Sequence, residues 1–185
     1  VIKELKLQDV NVIFSISSRW ILSKGIIDAF NGLIVNIHPG YLPRDRGSVV
    51  YSKILNRIED LGATIHMITT EVDAGPILMR LRENNEINNP TIDEITAKNI
   101  DLSTTLLKSF LAKIANHEAF IQEPQDINSG IYMPQPYTEA NGFIDWGWKI
   151  KHIESFIRAF GSPMPGAMTF IKRIRYKYLN HILKI

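Results

Sequence analysis

Apolar and polar positions along the 185-residue chain follow two different periods, which predicts that strands alternate with helices. Short, β-branched apolar runs predict buried strands at residues 9–15, 33–37, 63–68 and 77–81. Apolar residues at helical spacing predict the end of one helix and three further helices, at residues 1–7, 23–30, 48–58 and 90–116. This alternation is typical of an α/β fold, so we expect a Rossmann-like, mostly parallel sheet with flanking helices.

The second part of the chain has a different pattern. Residues 118–142 are rich in Pro, Asn, Gln and Gly and have weak periodicity, which predicts a linker or an irregular crossing segment. An amphipathic helix at about 149–160 and a strand from Ala167 follow it. We therefore expect an α/β domain at 1–117 and a small α+β subdomain at 143–185, joined by the linker. Few strands precede the middle of the chain, so we also expect that the N-terminal strands of the sheet are missing from this chain.

The composition narrows the classes of protein and of site. The chain has no cysteine and hence neither a disulfide framework nor a cysteine-based metal site, which suits a cytoplasmic protein. Its five histidines are scattered, and we expect no bound metal. No apolar stretch approaches the roughly 20 residues that span a bilayer, so we expect no membrane partner.

The net charge of +2 conceals a basic C-terminal end. Residues 172–185 contain five basic residues and no acid, whereas the rest of the chain has 16 Lys or Arg against 19 Asp or Glu. Apolar and basic side chains alternate over residues 173–178, which predicts a strand with a basic face. Solvation of that face and contact with a polyanion such as nucleic acid are both open alternatives.

Polar residues at the end of the second predicted strand indicate chemistry. Asn36 and His38 are two positions apart, so their side chains lie on one face where the strand ends. Asp73 lies 35 residues after His38, beyond the next strand. An amide, an imidazole and a carboxylate can bind an oxyanion and move one proton, which is typical of acyl-type transfer. Asp73 could equally be a turn residue, Glu71 could be the functional carboxylate instead, and His66 is predicted to be a buried core histidine.

Two arginines, Arg44 and Arg46, flank Asp45 in the loop that follows His38. Their guanidinium groups could clamp a phosphate or a carboxylate of a substrate, and the alternative is that they are solvated loop charges. The sequence contains no Gly-rich nucleotide-binding motif and no His-Glu-x-x-His metal motif.

Two blocks of sequence resemble the folate-dependent formyltransferases. The first runs from Asn36 to Gly47 and begins Asn-Ile-His-Pro-Gly, and the second runs from Gly62 to Leu78. The resemblance covers about residues 9–115. This family includes glycinamide ribonucleotide, methionyl-tRNA and amino-sugar formyltransferases, and its members use 10-formyltetrahydrofolate as the formyl donor. Membership implies a folate-dependent transferase with a formyltransferase fold.

The resemblance also implies roles for individual residues. The family's catalytic Asn, His and Asp correspond to Asn36, His38 and Asp73. Asn36 and protonated His38 would stabilise the tetrahedral oxyanion, and Asp73 would orient His38 and help to move the proton of the amine. The implied folate-binding residues lie in two loops and are Trp20, Ile21, Leu22, Glu71, Val72 and Asp73. The implied substrate-binding residues are Arg44 and Arg46.

The C-terminal part bears on the acceptor. Segments 142–146 and 165–167 resemble the region after the catalytic domain in methionyl-tRNA and amino-sugar formyltransferases, and the Pro-Gly-Ala run favours enzymes of sugar nucleotides. We therefore expect 10-formyltetrahydrofolate as the donor and a nucleotide-linked amino sugar as the acceptor, with a homodimer left open. The alternatives are a methionyl-tRNA formyltransferase that contacts tRNA, a formyltetrahydrofolate hydrolase, and an inactive, truncated folate-binding remnant.

Overall fold

The structure is a computed structural model, and it describes residues 2–10, 12–16, 18, 20–30, 33–56, 60–84, 86–171, 174–179 and 182–184. The α-helices in these ranges are Ile2–Leu7 (α1), Lys24–Ala29 (α2), Val49–Asn56 (α3), Ile92–Ala115 (α4), Thr138–Asn141 (α5) and Ile150–Ala159 (α6). The strands in the same ranges are Ile13–Ile16 (β1), Ile34–His38 (β2), Asp45–Gly47 (β3), Asp60–Met67 (β4), Ile77–Asn84 (β5), Ile131–Met133 (β6), Ala167–Ile171 (β7), Ile174–Leu179 (β8) and Ile182–Lys184 (β9).

The predicted α/β fold is confirmed, and its main sheet has the strand order β1-β2-β4-β5. β1 and β2 are parallel, with Ile13 opposite Ile34. β2 and β4 are antiparallel, with Val35 opposite Met67. The sheet is therefore mixed, and the expectation of parallel strands does not hold for the second pair. The reason is that hydrophobic periodicity identifies a strand but says nothing about its direction.

The chain forms two compact units, each built from segments that are distant in sequence. The first unit contains residues 1–47, 61–83 and 99–132, and the second contains residues 48–60, 84–98 and 133–185. The domain boundaries expected at residues 117 and 142 stay a prediction.

The main sheet provides the core of the first unit. Ile34 and Ile65 are fully buried, because β-branched side chains on central strands pack on both faces of a sheet. Phe110 of α4 contacts Phe14 of β1 edge-on, with ring centroids 6.1 Å apart, so α4 packs against the sheet. α4 is 24 residues long, but no helix in the described part of the chain is long and apolar enough to cross a membrane.

The second unit combines helices with a small antiparallel sheet of order β7-β8-β9. α3 packs against α6, where the ring of Tyr51 lies 6.2 Å from that of Phe160. Phe156 of α6 packs against Phe160, the residue after the helix, at 4.7 Å between ring centroids. Residues 174–178 of the strand predicted over 173–178 belong to β8, and residue 173 lies outside the described residues. The side chains of that strand lie outside the described ones, so both alternatives for its basic face stay predictions.

Residues 118–142 form backbone hydrogen bonds that their composition does not predict. Glu123 and Ile77 exchange two backbone hydrogen bonds, with N···O distances of 2.8 and 2.9 Å. The N–H of Ile131 donates to the C=O of Arg44 at 2.9 Å. This segment therefore contacts β5 and the loop after β2.

Candidate active site

Two polar side chains at the end of β2 lie near a polar side chain of β4. Asn36 and His38 alternate with buried Val35 and Ile37, so strand geometry turns both polar side chains to one face. Asn36 is half-buried and His38 is 4% exposed. In the antiparallel pairing Asn36 lies opposite His66, which places the two side chains on the same face of the sheet.

Asp73 faces this pair of strands from the loop between β4 and β5. Its Oδ2 lies 3.5 Å from Nδ1 of His38, and its Oδ1 lies 3.6 Å from Nε2 of His66. The N–H of Gly47 donates to Oδ2 at 2.9 Å. The backbone of Asp73 has a φ of 53°, in the left-handed region that Asp tolerates better than most residues. The carboxylate thus lies between the two histidines and accepts one backbone hydrogen bond.

His66 belongs to this cluster, although sequence reasoning leaves it outside the candidate site. It is 2% exposed, and its Nδ1 lies 2.9 Å from the C=O of Met67. Because a carbonyl only accepts, Nδ1 carries the proton of the neutral ring, and Nε2 accepts from Nδ2 of Asn36 at 3.1 Å. The expectation of a buried core histidine agrees with its burial. Its place beside Asn36 depends on the β2–β4 register, which no local signal reveals.

Asp45 fixes the orientation of the His38 ring. The C=O of Asp45 bonds to Nε2 of His38, so the proton of the neutral imidazole lies on Nε2 and Nδ1 presents its lone pair toward Asp73. The carboxylate of Asp45 accepts from the N–H of Tyr41 at 3.0 Å, which closes the loop after β2 around this contact. Nδ1 of His38 is therefore the ring atom that is available for a proton.

The two ionisable groups of the site have shifted pKa values. Burial acts to raise the pKa of Asp73, but the nearby His66 side chain, the charge of a protonated His38 and the N–H of Gly47 outweigh it and lower the pKa from 3.8 to about 2. Burial lowers the pKa of His38 below its usual 6.5, although the charge of Asp73 opposes this shift. At neutral pH the site holds a carboxylate and a neutral imidazole. The protonated His38 that the resemblance implies would form when Nδ1 takes up a proton, and this role stays a prediction.

The two arginines of the loop have different surroundings. Arg44 forms a two-point ion pair with Asp45, with Nε–Oδ1 and Nη2–Oδ2 distances of 3.1 and 3.0 Å. Arg46 has Nη1 at 3.3 Å from Oε1 of Glu71 and its guanidinium at 6.0 Å from the ring centre of Tyr132. The Nε of Arg46 is buried and has no hydrogen-bond partner among the described residues. A role of either side chain in binding an anionic group stays a prediction.

The residues expected to bind folate lie in two loops. Trp20 and Ile21 follow β1 and are 84% and 79% exposed, while Leu22 is half-buried. Val72 is half-buried beside Asp73 in the loop after β4. The role of these loops in a folate pocket stays a prediction, as do the catalytic and substrate-binding roles.

The cluster combines the groups needed for proton transfer beside a developing negative charge. Nδ1 of His38 can accept a proton, and the carboxylate of Asp73 stabilises the resulting cation. The amide of Asn36 can donate to a negatively charged oxygen. In the part of the chain that the structure describes, no group of three His, Asp or Glu side chains could hold a metal ion.

Comparisons with known proteins match this chain in both of its parts. A family model described as formyl transferase matches residues 1–111, and a model described as formyl transferase, C-terminal domain, matches residues 137–184. The methionyl-tRNA formyltransferase of Thermotoga neapolitana is 35% identical over 137 residues, which cover 74% of this chain and 42% of that protein. The chain spans about half the length of the curated relatives it matches, from 42% to 58%.

Solved structures with the same fold include two formyltransferases. A 4-N formyltransferase from Francisella tularensis has a TM-score of 0.79 and 22% identity, and the match covers 100% of this chain and 75% of that chain. An N-formyltransferase from Helicobacter canadensis, in complex with folinic acid and dTDP-3-aminofucose, has a TM-score of 0.71 and 21% identity over 90% of this chain and 60% of that chain. At these identities the likeness establishes the fold.

Proposed function

The chain belongs to the formyl transferase family, and from this premise we propose that the protein is an N-formyltransferase that moves a formyl group from 10-formyltetrahydrofolate to a primary amine. The observation that carries the proposal is the approach of Nδ1 of His38 to Oδ2 of Asp73, at 3.5 Å, on the sheet face that also holds Asn36. A neutral imidazole backed by a carboxylate, next to an amide donor, suits the attack of an amine on a formyl carbon.

In the proposed reaction, the lone pair of the amine nitrogen forms a bond to the formyl carbon, and the formyl oxygen becomes an oxyanion. Nδ1 of His38 takes the proton that the attacking nitrogen loses, and Asp73 stabilises the imidazolium. The tetrahedral intermediate then collapses, and the bond between the formyl carbon and N10 of the folate breaks. N10 leaves with a proton supplied by the imidazolium, which gives tetrahydrofolate and a formamide.

Asn36 is proposed to bind the oxyanion. Its Nδ2 carries two hydrogens, and the bond to Nε2 of His66 uses one of them. The second can donate to the formyl oxygen as its negative charge develops. One such donor contributes about 2.7–4 kcal/mol to transition-state stabilisation in related chemistry. His66 would fix the amide in the orientation that this role needs.

We propose that the pteridine ring of the donor lies against the loops after β1 and β4, in contact with Trp20, Ile21, Leu22, Glu71 and Val72. The large exposed apolar area of Trp20 and Ile21 supports this, because covering it with an aromatic ring removes it from water. The Helicobacter protein of the same fold was crystallised with folinic acid, a related formyl folate.

For the acceptor we propose a nucleotide-linked amino sugar, with Arg46 in contact with its phosphate. The position of Arg46 in the segment after β2, with its guanidinium near Glu71 and Tyr132, supports an anionic group near the candidate site. Methionyl-tRNA is the second candidate, and the 35% identity with the Thermotoga neapolitana enzyme favours it. The two acceptors share the attacking group, a primary amine, and differ in the size of the phosphate-bearing part.

The proposal is tested by incubating the protein with 10-formyltetrahydrofolate and a dTDP-linked amino sugar, methionyl-tRNA or no amine. A chimaera that adds the N-terminal part of the Thermotoga neapolitana relative is assayed in parallel, and mass spectrometry detects the formamide. A formylated sugar supports the first acceptor, and formylmethionyl-tRNA supports the second. Release of tetrahydrofolate at the same rate with and without an amine would indicate a hydrolase. Absence of turnover in both the chain and the chimaera would contradict the enzyme proposal.

A further inference from the structure

The loop that carries Asp73 has a constrained backbone at two positions. Asp73 is in the left-handed region with a φ of 53°. Two residues later, Gly75 packs so closely on β4 that a Cβ atom would lie 1.9 Å from the carbonyl oxygen of Met67. Backbone of this kind persists when the surrounding structure holds it in place.

Gln125 provides such a restraint from outside the loop. Its Nε2 lies 3.2 Å from the carbonyl oxygen of Asp73 and 2.5 Å from that of Gly75. An amide nitrogen has two hydrogens, so one side chain can donate to both carbonyl groups. The Oε1 of Gln125 is buried without a partner among the described residues. The hydrogen bonding of this side chain is therefore made by its two donors alone.

The backbone around Gln125 is itself anchored on both sides of the site. Glu123 and Ile77 exchange two backbone hydrogen bonds, which places Gln125 level with Gly75 along the antiparallel pair. Arg80 donates to the C=O of Leu42 at 2.9 Å and pairs with the carboxylate of Glu123 at 2.7 Å. The segment is thus tied to the loop after β2 as well as to the loop after β4.

We propose that Gln125 is a positioning residue of the candidate active site. By binding the carbonyl groups of Asp73 and Gly75, it holds the carboxylate of Asp73 against His38 and His66. The placement of the Asp73 carboxylate by Gln125 does not depend on which reaction the protein catalyses. The expected effect on kcat rests on the proposed formyl transfer. Gln125 acts through the loop and not on a reacting atom.

The substitution Gln125→Met tests the role, because it keeps the length of the side chain and removes both donors. The substitution is made in whichever form, the chain or the chimaera, catalyses formyl transfer. We expect kcat to fall by about 10- to 100-fold, since small misplacements of a catalytic group have effects of this size. The KM for the folate is expected to rise as well, because Glu71 and Val72, which we propose to contact the pteridine, belong to the same loop. The matched control is Gln122→Met, an exposed glutamine of the same segment, which should leave kcat unchanged.

A second readout needs no turnover. The charge of Asp73 raises the pKa of His38 against the effect of burial, so a displaced carboxylate should lower the pKa of His38 further. Nuclear magnetic resonance of the His38 ring over a pH series measures this shift. We expect a lower His38 pKa in Gln125→Met than in the parent protein. A smaller fall is expected in Gln125→Asn, which keeps an amide but is one methylene shorter.

The outcomes separate this proposal from the proposed function. A lowered His38 pKa in a protein that formylates no amine supports the positioning role and counts only against the reaction. An unchanged His38 pKa together with an unchanged kcat in Gln125→Met would overturn the positioning role. Loss of the fold in both Gln125 variants, measured by circular dichroism, would also overturn it, because Gln125 would then serve global stability.

Discussion

Asn36 is the residue whose proposed role a single substitution isolates best. Asn36→Ala removes the amide that would donate to the oxyanion, and we expect kcat to fall by about 10²- to 10³-fold. The KM values should change little, because the donor acts mainly on the transition state. Initial rates of formamide formation measure both parameters, and Asn116→Ala, at an exposed position after α4, serves as the control. A loss of less than about tenfold would remove Asn36 from the oxyanion site.

Asp73 should also make the stability of the protein depend on pH. Its pKa in the folded protein is about 2, below the usual 3.8, so its contribution is complete above about pH 4 and is lost as the pH falls toward 2. The shift corresponds to about 2 kcal/mol. Asp73→Asn should therefore lower the free energy of unfolding by up to about this amount above pH 4, and the difference should shrink as the pH falls from 4 toward 2.

Urea unfolding of parent and variant at neutral pH and at about pH 3 measures this difference. The control substitution is Asp101→Asn, at an exposed position on α4, which should cost less than about 0.5 kcal/mol. A difference between parent and Asp73→Asn that is the same at both pH values would show that Asp73 is not held as a carboxylate by its neighbours.

Single residues of the site could be predicted to different extents. Strand alternation is a local property, so it predicts that Asn36 and His38 share a face. The choice of Asp73 over Glu71 came from the family resemblance, and the structure gives the physical difference: the two side chains are 13% and 58% exposed. The place of His66 in the candidate site could not be predicted, because its contact with Asn36 depends on pairing between strands that are distant in sequence.

At the scale of secondary structure, α4 begins with a capping box that the acidic first turn of its sequence indicates. The hydroxyl of Thr91 accepts from the N–H of Glu94 at 3.2 Å, and the carboxylate of Glu94 accepts from the N–H of Thr91 at 2.9 Å. Thr91→Ala should lower the free energy of unfolding by about 1 kcal/mol. Thr104→Ala, in the exposed middle of α4, should be neutral or slightly stabilising. Equal effects of the two substitutions in thermal unfolding would contradict the capping role.

Helices and strands can be predicted well where the sequence pattern that specifies them is local, and poorly where their arrangement depends on distant residues. The helix expected at 90–116 is present as Ile92–Ala115, because amphipathic periodicity and an acidic first turn both lie within it. The strand expected at 9–15 is shorter, Ile13–Ile16. The antiparallel direction of β4 could not be predicted, since it depends on the path of the chain between the strands. The same holds for the contacts of Gln125, which lies in a segment without periodicity.

At the scale of the whole molecule, composition and hydrophobic periodicity are enough to predict the fold class. They do not predict which segments of the chain form each of the two compact units. Residues 48–60 and 84–98 belong to the same unit as residues 133–185. That grouping is made by contacts between segments far apart in sequence, and a single sequence carries no direct signal for such contacts. The family resemblance works differently from a prediction based on physical pattern. Two matched blocks at the right separation identify the family and thereby its fold, but they do not explain which contacts form that fold.

The charge distribution of the whole chain gives a prediction about the acceptor. Residues 172–185 carry five positive charges and no negative one, while the rest of the chain has a small excess of acids. A tRNA that contacts five such charges would release counterions, and its affinity would fall by about 10²-fold or more between roughly 50 and 200 mM salt. A sugar nucleotide has few phosphate charges, so its affinity should fall by less than about tenfold over that range. We expect the second behaviour.

The measurement is the KM for each acceptor at both salt concentrations, in the parent protein and in a variant with Lys172, Arg173 and Arg175 replaced by Gln. The control variant replaces Lys3 and Lys6, at the opposite end of the chain. With a sugar nucleotide as the acceptor, both variants should keep the KM of the parent, because the basic end would not contact so small a molecule. A steep salt dependence that the C-terminal substitutions abolish and the N-terminal ones preserve would assign the basic end to tRNA, and methionyl-tRNA would then replace the amino sugar as the acceptor.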